Sequence, residues 1–495
     1  MQKSRVRRVG ALLVGLALVA SACGSDEVAA PGTNAPVVTE AAPATTEGDA
    51  PATTEAEAPA TTEAEAPATT EGTATTEAEG DAPSKCGQAD GTETEGELEG
   101  FAGATPFGSG GTDPGFIARL CEVDPNLIDL NYAAESYDAV IITALAMEIA
   151  GTDGIEHASE INGVTRDGEK CSDFPTCMEL VAAGTDIDYD GLSGPLTFTG
   201  NGEPLQASYG FLTMGPNNRI DPALTDYIDV DGTGTENDVA EVPVVGSRAG
   251  DGKVKIAGVL PITGSLAFLG PPMIAGYELG IKELNAAGGV LGVDVEGVSK
   301  DSGDTSTDEA VKSADVLLSE NVDAIIGTAS SSVTKTILDK VTGAGVTLFS
   351  PANTSPELST LPDSGLYFRT APPDVYQGTV IGQFVLQEGN QTVAILALND
   401  SYGTGLAEQA TAAITAGGGE VVLTKIYDPA ADSFATEVDE VVAADPDAII
   451  VIGFNESSLI LRTMVEKGIG PKVKNVYGCD GNIGNGLGVD FDAGK

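Results

Sequence analysis

Basic residues and histidine are scarce in this chain. Its 495 residues hold 24 Lys and Arg against 75 Asp and Glu, with one histidine, for a formal net charge of -51. A surface of that sign repels phosphate backbones and anionic head groups, so nucleic acid is not an expected partner. The single histidine, His157 in "GIEHASE", is expected on a helix surface. There is no Gly-x-Ser-x-Gly motif, no phosphate-loop signature, and no Cys-x-x-Cys pair or histidine cluster. Hydrolase, nucleotide and zinc chemistry therefore lack their usual residues. No enzyme, cofactor or metal is expected. Long apolar runs are also missing after the first 23 residues, so no later segment is expected to span a membrane.

What is present begins with residues 1–23, "MQKSRVRRVGALLVGLALVASAC". A basic start, an apolar run from Val9 to Ala20 and small residues before a cysteine have the order of a secretory signal. The run is shorter than the ~20 residues a spanning helix needs. "ALVASAC" resembles a bacterial lipobox, with Ala20 where leucine is usual. Cys23 is then the lipid attachment point, and the lipid is the only contact with the membrane. An exported protein is expected, anchored to the outer face of the cytoplasmic membrane or periplasmic.

Residues 24–85 cycle through "APATTEAE" and "TTEG", with acids and almost no aromatics. Such a segment cannot bury enough apolar surface to offset its ordering entropy, so a disordered linker is expected. As a coil it spans ~40 Å. A second acidic, Gly-rich stretch, 229–252, marks a boundary between two regions of globular composition.

After that boundary short β-branched runs alternate with helical patterns. The strands are "KVKIAGVL", "VDVEGV", "VDAIIG", "VTLFS", "TVAILAL", "EVVLTKIY", "PDAIIVIG" and "KNVYG". Helices are expected near 272–287, 306–320, 332–343, 404–417, 434–443 and 456–467. Continuous apolar strands imply burial on both faces, with helices as parallel crossovers. The expected fold class is α/β, with two parallel-type sheets rather than one.

Before the boundary, "LEGFAGATPF", "GPLTFTG" and "LQASYGFLTM" are expected strands; "DPGFIARLCEV" and "YAAESYDAVIITALAMEIAG" are expected helices. Alone, these elements would expose their apolar faces.

Beyond Cys23, five cysteines remain in an oxidising setting: Cys86, Cys121, Cys171, Cys177 and Cys479. Cys171 and Cys177 are the expected bridge, and the pairing of the other three is open. "DIDYDG" at Asp186 and "DVDGTGTEND" at Asp229 imitate calcium loops but carry Thr197 and Ala240 where a bidentate Glu belongs.

"GVLPITGSLAFLG", "GIKELNAAGGVLG", "IIGTASSSVTKTILDKVTGAGVTLFSPANTSPEL", "YFRTAPPDVYQG", "LNDSYGTG", "IVIGFNESS" and "VYGCDGNIGN" resemble the branched-chain amino-acid type of periplasmic binding protein. The earlier half adds "YAAESYDAVIITALAMEIAG" and "YDGLSGPLTFTGNGEPLQASYGF". The resemblance implies the type I fold: two Rossmann-like lobes joined by a hinge. In the family the pieces found here at 253–495 come first and those at about 97–228 come last. That order implies a circular permutation; the alternative is a fragment of a longer tandem gene. Residues 86–228 then contribute to both lobes, 229–252 join the family's two ends, 253–372 form the core of lobe 1 and 373–495 the core of lobe 2.

An amino acid needs donors for its carboxylate, acceptors for its ammonium and a pocket for its side chain. Ser330 and Ser331 stand where a strand passes into a helix, and unpaired N–H groups there favour an anion, although serine is also an ordinary N-cap. By resemblance Ser331 and Thr354 bind the carboxylate, the Ala352 carbonyl accepts from the ammonium, and Asp480 faces the ammonium. Leu269, Tyr402, Phe454 and Tyr132 fall at pocket-lining positions. Leu269 replaces an aromatic, Asn353 a small residue and Asp480 a Glu, departures that loosen strict leucine, isoleucine or valine specificity. The resemblance implies a monomer that delivers its ligand to ABC permease subunits. A ligand-sensing receptor component for amides, urea or amino acids is the alternative.

Overall fold

The computed structural model describes residues 86–92, 95–107, 112–231 and 239–494. The leader, Cys23 and the linker 24–85 lie outside the described residues. In chain order the elements before residue 253 are β1 (Ala102–Pro106), α1 (Pro114–Val123), α2 (Ala133–Ala150), α3 (Ile161–Val164), β2 (Glu169–Cys171), α4 (Phe174–Ala182), β3 (Ile187–Tyr189), β4 (Gln206–Thr213) and β5 (Asp226–Asp231). Then follow β6 (Lys255–Leu260), α5 (Gly270–Ala286), β7 (Glu296–Asp301), α6 (Glu309–Ser319), β8 (Ala324–Gly327), α7 (Ser331–Gly343), β9 (Thr347–Ser350) and β10 (Tyr367–Arg369). The last run is α8 (Asp374–Gln387), β11 (Thr392–Leu398), α9 (Ser401–Ala416), β12 (Glu420–Tyr427), α10 (Ala435–Ala444), β13 (Ala448–Ile452), α11 (Ser457–Glu466), β14 (Asn475–Gly478) and α12 (Asn485–Ala493).

Two large sheets form, as the rhythm of the sequence predicts. One has five strands in the order β10-β9-β8-β6-β7, every pair parallel. The other has seven, in the order β12-β11-β13-β14-β1-β4-β5. Its strands run parallel as far as β1, which lies beside β14 with Ala102 opposite Tyr477; β4 and β5 are then antiparallel. Residues on both sides of 253 thus share one sheet. A separate parallel pair joins β2 to β3, and there "DIDYDG" supplies strand residues, with Asp188 paired to Lys170 at 2.9 Å.

Helix α2 ties the earlier region to the five-stranded sheet. Every side chain from Ala133 to Met147 is buried, which suits a helix apolar nearly all round. It packs on α5 at glycines: a Cβ on Gly276 would come within 2.0 Å of the Ala133 carbonyl oxygen, and one on Gly280 within 3.0 Å of Val140.

Several expectations are corrected. "GPLTFTG" is no strand; it makes one isolated bridge, Phe198 to Pro204, because the turn at Gly202 bends the chain straight back on itself. Strand β12 alternates exposed with half-buried residues because it is a sheet edge, and β7, at the edge of the other sheet, has no buried residue. His157 is not on a surface: it is fully buried, with Nδ1 2.6 Å from the Gly154 carbonyl and Nε2 2.9 Å from the Thr347 hydroxyl. Helices α4, α8 and α12 lie outside the elements expected from the sequence.

The boundary at 229 falls inside β5. Residues 241–252 are fastened down: Val242 and Val245 N–H donate to the carbonyls of Gly200 and Ser364 at 3.1 and 2.9 Å. Arg248 pairs with buried Asp323, and Asp153 accepts from Asp251 and Gly252 N–H. The open cysteine question resolves as Cys86–Cys121, beside the expected Cys171–Cys177, with Cys479 buried and unbridged. Among the described residues no helix is long and apolar enough to cross a membrane, and no cluster of three His, Cys, Asp or Glu could hold a metal.

Candidate functional site: a cavity between the two sheets

The loops after β8 and β9 of the five-stranded sheet face the loops after β11, β13 and β14 of the seven-stranded sheet, and a cavity lies between them. Its wall comprises Tyr132, Leu266, Leu269, Ala329, Ser330, Ser331, Ala352, Thr354, Tyr402, Phe454, Asp480 and Gly481. All the site residues predicted from sequence are there except Asn353. That residue is fully buried and turned away: its amide donates to the carbonyls of Thr328 and Ala329 at 3.0 and 2.8 Å and accepts from the Tyr367 hydroxyl at 3.0 Å. It holds the two loops of the first sheet together from behind.

Ser330 caps α7, its side chain accepting from the Val333 N–H, so the ordinary reading of that serine holds. Ser331 is the first helical residue, and its hydroxyl accepts from the Ser355 N–H at 3.3 Å. The Thr354 hydroxyl is buried without a hydrogen-bond partner. Together with the N-terminus of α7, these make the near wall a set of donors suited to an anion.

The far wall is acidic and aromatic. Asp480 is buried and accepts from two phenols, Tyr132 at 2.6 Å and Tyr402 at 2.7 Å. Burial pushes its carboxyl above the usual range, and the phenol bonds oppose that rise. Tyr132 reaches it from a left-handed backbone conformation (φ 63°) at the entrance to α2; few residues other than glycine adopt that conformation. Tyr402 stacks on Phe454, with centroids 5.5 Å apart and planes within 10°, forming a flat apolar panel beside the carboxylate.

Sequence reasoning missed Leu266, Ala329 and Gly481 in the wall, and it missed Asp374 and Gln377 behind it. Asp374 has no exposed surface, and its N–H donates to the Thr354 carbonyl at 2.7 Å. Both lie inside "YFRTAPPDVYQG", where no local pattern marks either as a site residue. Behind the same loop Arg369, also fully buried, bonds Glu203, the Ser359 hydroxyl and the carbonyls of Asn353 and Ser355. The guanidinium therefore fixes the loop that carries Ala352 and Thr354.

Residues 253–489 match the family described as "Periplasmic binding protein". A leucine-, isoleucine-, valine-, threonine- and alanine-binding protein of Pseudomonas aeruginosa is 29% identical over 218 residues, covering 44% of this chain and 58% of that protein. A chemotactic signal transduction system substrate-binding protein, BasB, of Halobacterium salinarum is 29% identical over 213 residues, 41% of this chain and 51% of that one. The solved structure of LivJ from Streptococcus pneumoniae in complex with isoleucine is 28% identical, covers 49% of this chain and 68% of that chain, and has a TM-score of 0.44. The chain thus spans between half and two thirds of the curated relatives named, and over residues 253–489 it is similar to the periplasmic binding protein family.

Proposed function

We propose that the chain is an exported substrate-binding protein that captures an amino acid between its two sheets without turning it over, and delivers it to the permease of an ABC importer. The observation that carries this reading is the pairing of walls: hydroxyls and a helix N-terminus on one side, and a buried carboxylate, Asp480, on the other. A zwitterion meets both, its carboxylate at Ser331 and Thr354 and its ammonium at Asp480 and the Ala352 carbonyl. Leu269, Tyr132, Tyr402 and Phe454 receive its side chain. The cavity, about 20 Å³, has room for a water or two. An amino acid therefore enters an opened form, and contacts made with both walls draw the sheets together.

We further propose the finer attributes that follow from sequence: a signal peptide, lipid attachment at Cys23, a spacer at 24–85, a monomeric body, and a circular permutation in which residues 86–228 are the family's tail joined through 229–252 to its head. Support for the permutation comes from the matched span starting at 253 while β1, β4 and β5 complete a sheet with strands after it. Isothermal titration of the full chain against leucine, isoleucine, valine, alanine and threonine tests the reading, with micromolar or tighter binding of at least one expected. Absence of binding by a folded sample to all of these sinks it. A sensing role is the second reading, favoured by the likeness to the chemotactic protein BasB; capture of a signalling partner rather than permease subunits would establish it.

A further inference from the structure

Among the described residues Asp374 is the buried carboxylate near the cavity whose oxygens both lack a hydrogen bond. It opens α8 directly behind the loop that lines the site. Three further oxygens in the same region are also unbonded: the Thr354 hydroxyl, the Tyr209 hydroxyl and Gln377 Oε1. The titratable and charged groups facing Asp374 are Asp480, Asp400 at the start of α9, Arg369 from β10, the phenols of Tyr132, Tyr209 and Tyr402, and the Cys479 thiol. Arg369 is the cation of this set, and its nitrogens are taken by Glu203, Ser359 and two carbonyls. Among the described residues Asp374 thus has no ion-pair partner of its own. Two carboxylates enclosed in one low-dielectric region do not both ionise without compensation.

We propose that Asp374 is the charge partner of Asp480: the two hold one proton between them in the ligand-free cleft, and a cationic amine arriving at Asp480 displaces it. This deepens the amino-acid reading above and rests on it for the identity of the amine. The balance is simple. Before binding, two carboxylates and one proton carry a net charge of -1; afterwards two carboxylates and one ammonium carry the same. The displaced proton leaves to bulk solvent. A cation against Asp480 lowers the cost of ionising its neighbour, so the amine need not touch Asp374 itself. A neutral amide or alcohol supplies no charge to replace the proton, so the pair selects for amines. Burial, and next the charge of Asp480, push the Asp374 carboxyl well above its usual range, and the charge of Arg369 opposes that rise.

Two measurements on the full chain test the proposal. Infrared spectra of the ligand-free protein at neutral pH should show a protonated-carboxyl band that is lost in Asp374→Asn, since Asp480 ionises once its neighbour is neutral. Identical carboxyl bands in the two proteins overturn the idea without any ligand. Titration of L-leucine in buffers of different ionisation heat should give release of about one proton per ligand from the native chain and none from Asp374→Asn. Binding with no proton released, or with equal release from both proteins, overturns the proposal and leaves the amino-acid reading standing. If L-leucine fails to bind, it is the amino-acid reading that loses support, and the infrared comparison still decides the proton. Should Asp374→Asn fail to fold, Asp374→Ser removes the same carboxyl and carries both readouts.

Discussion

The five-stranded and seven-stranded sheets share a βα rhythm and differ in how the chain builds them. The first uses one continuous run, Lys255–Arg369, and is parallel throughout. The second borrows β1, β4 and β5 from before residue 253, and two of its pairings are antiparallel. The chemistry divides along the same line: the first sheet presents hydroxyls and the N-terminus of α7, the second presents Asp480 between phenols. A site made this way is complete only when segments far apart in sequence are packed together, as when Tyr132 bonds Asp480 across 348 residues.

That comparison breaks most visibly at the Arg369–Glu203 pair, which fastens the earlier segment to the site loop of the first sheet. Arg369→Met should destabilise the protein by about 3–5 kcal/mol, because Glu203 is left buried and unpaired. Adding Glu203→Leu should restore much of the loss. Denaturant unfolding of the single and double variants checks this, and equal losses would show that the pair is not coupled.

A sharper test weighs the two walls. Truncating a buried charge partner costs about 2–5 kcal/mol of binding, so Asp480→Ala should weaken an amino-acid ligand by tens- to thousands-fold. Ser331→Ala on the opposite wall removes a neutral hydroxyl and should cost about 1 kcal/mol. Titration calorimetry on both variants would overturn the division of roles if the serine mattered more.

The last effect bears on stability alone and concerns His157, which locks the earlier region against β9 through Thr347. Burial pushes its imidazole down to about 4. In the unfolded chain a histidine titrates near ~6.5, so between those values the unfolded state binds the extra proton and stability rises with pH. As pH falls from about 6.5 to about 4, His157 should therefore cost up to about 3 kcal/mol. Subtracting the profile of His157→Gln isolates this contribution; parallel profiles would mean that the imidazole titrates normally.

Legibility followed local signal. "TVAILAL" and "EVVLTKIY" become strands over the residues expected, because unbroken β-branched runs have few other uses. Helix α8 was hidden by Gly378 and Gly382, which look like helix breakers in a sequence. A Cβ at those positions would come within 2.4 Å of Gln409 and 2.7 Å of Ala413, so the glycines are there to let α9 approach. In α12, Gly488 plays the same part against the Asn218 carbonyl at 1.9 Å. Such glycines report on a neighbour that the local sequence does not contain. In the site, the hydroxyls and Asp480 stood at recognisable loop positions, whereas Asp374 drew no notice, since one acid among 75 carries no mark.

By itself the sequence determined the α/β class, the strand runs after 253, the Cys171–Cys177 bridge and most of the cavity wall, because these depend on residues near one another in the chain or on short motifs. Tertiary structure alone decided that β1 joins β14, that Cys86 pairs with Cys121, that Asn353 turns inward, and that Asp374 and Asp480 share a buried region. Those outcomes depend on distance and dielectric through space, and neither quantity is set until chain segments hundreds of residues apart are packed together.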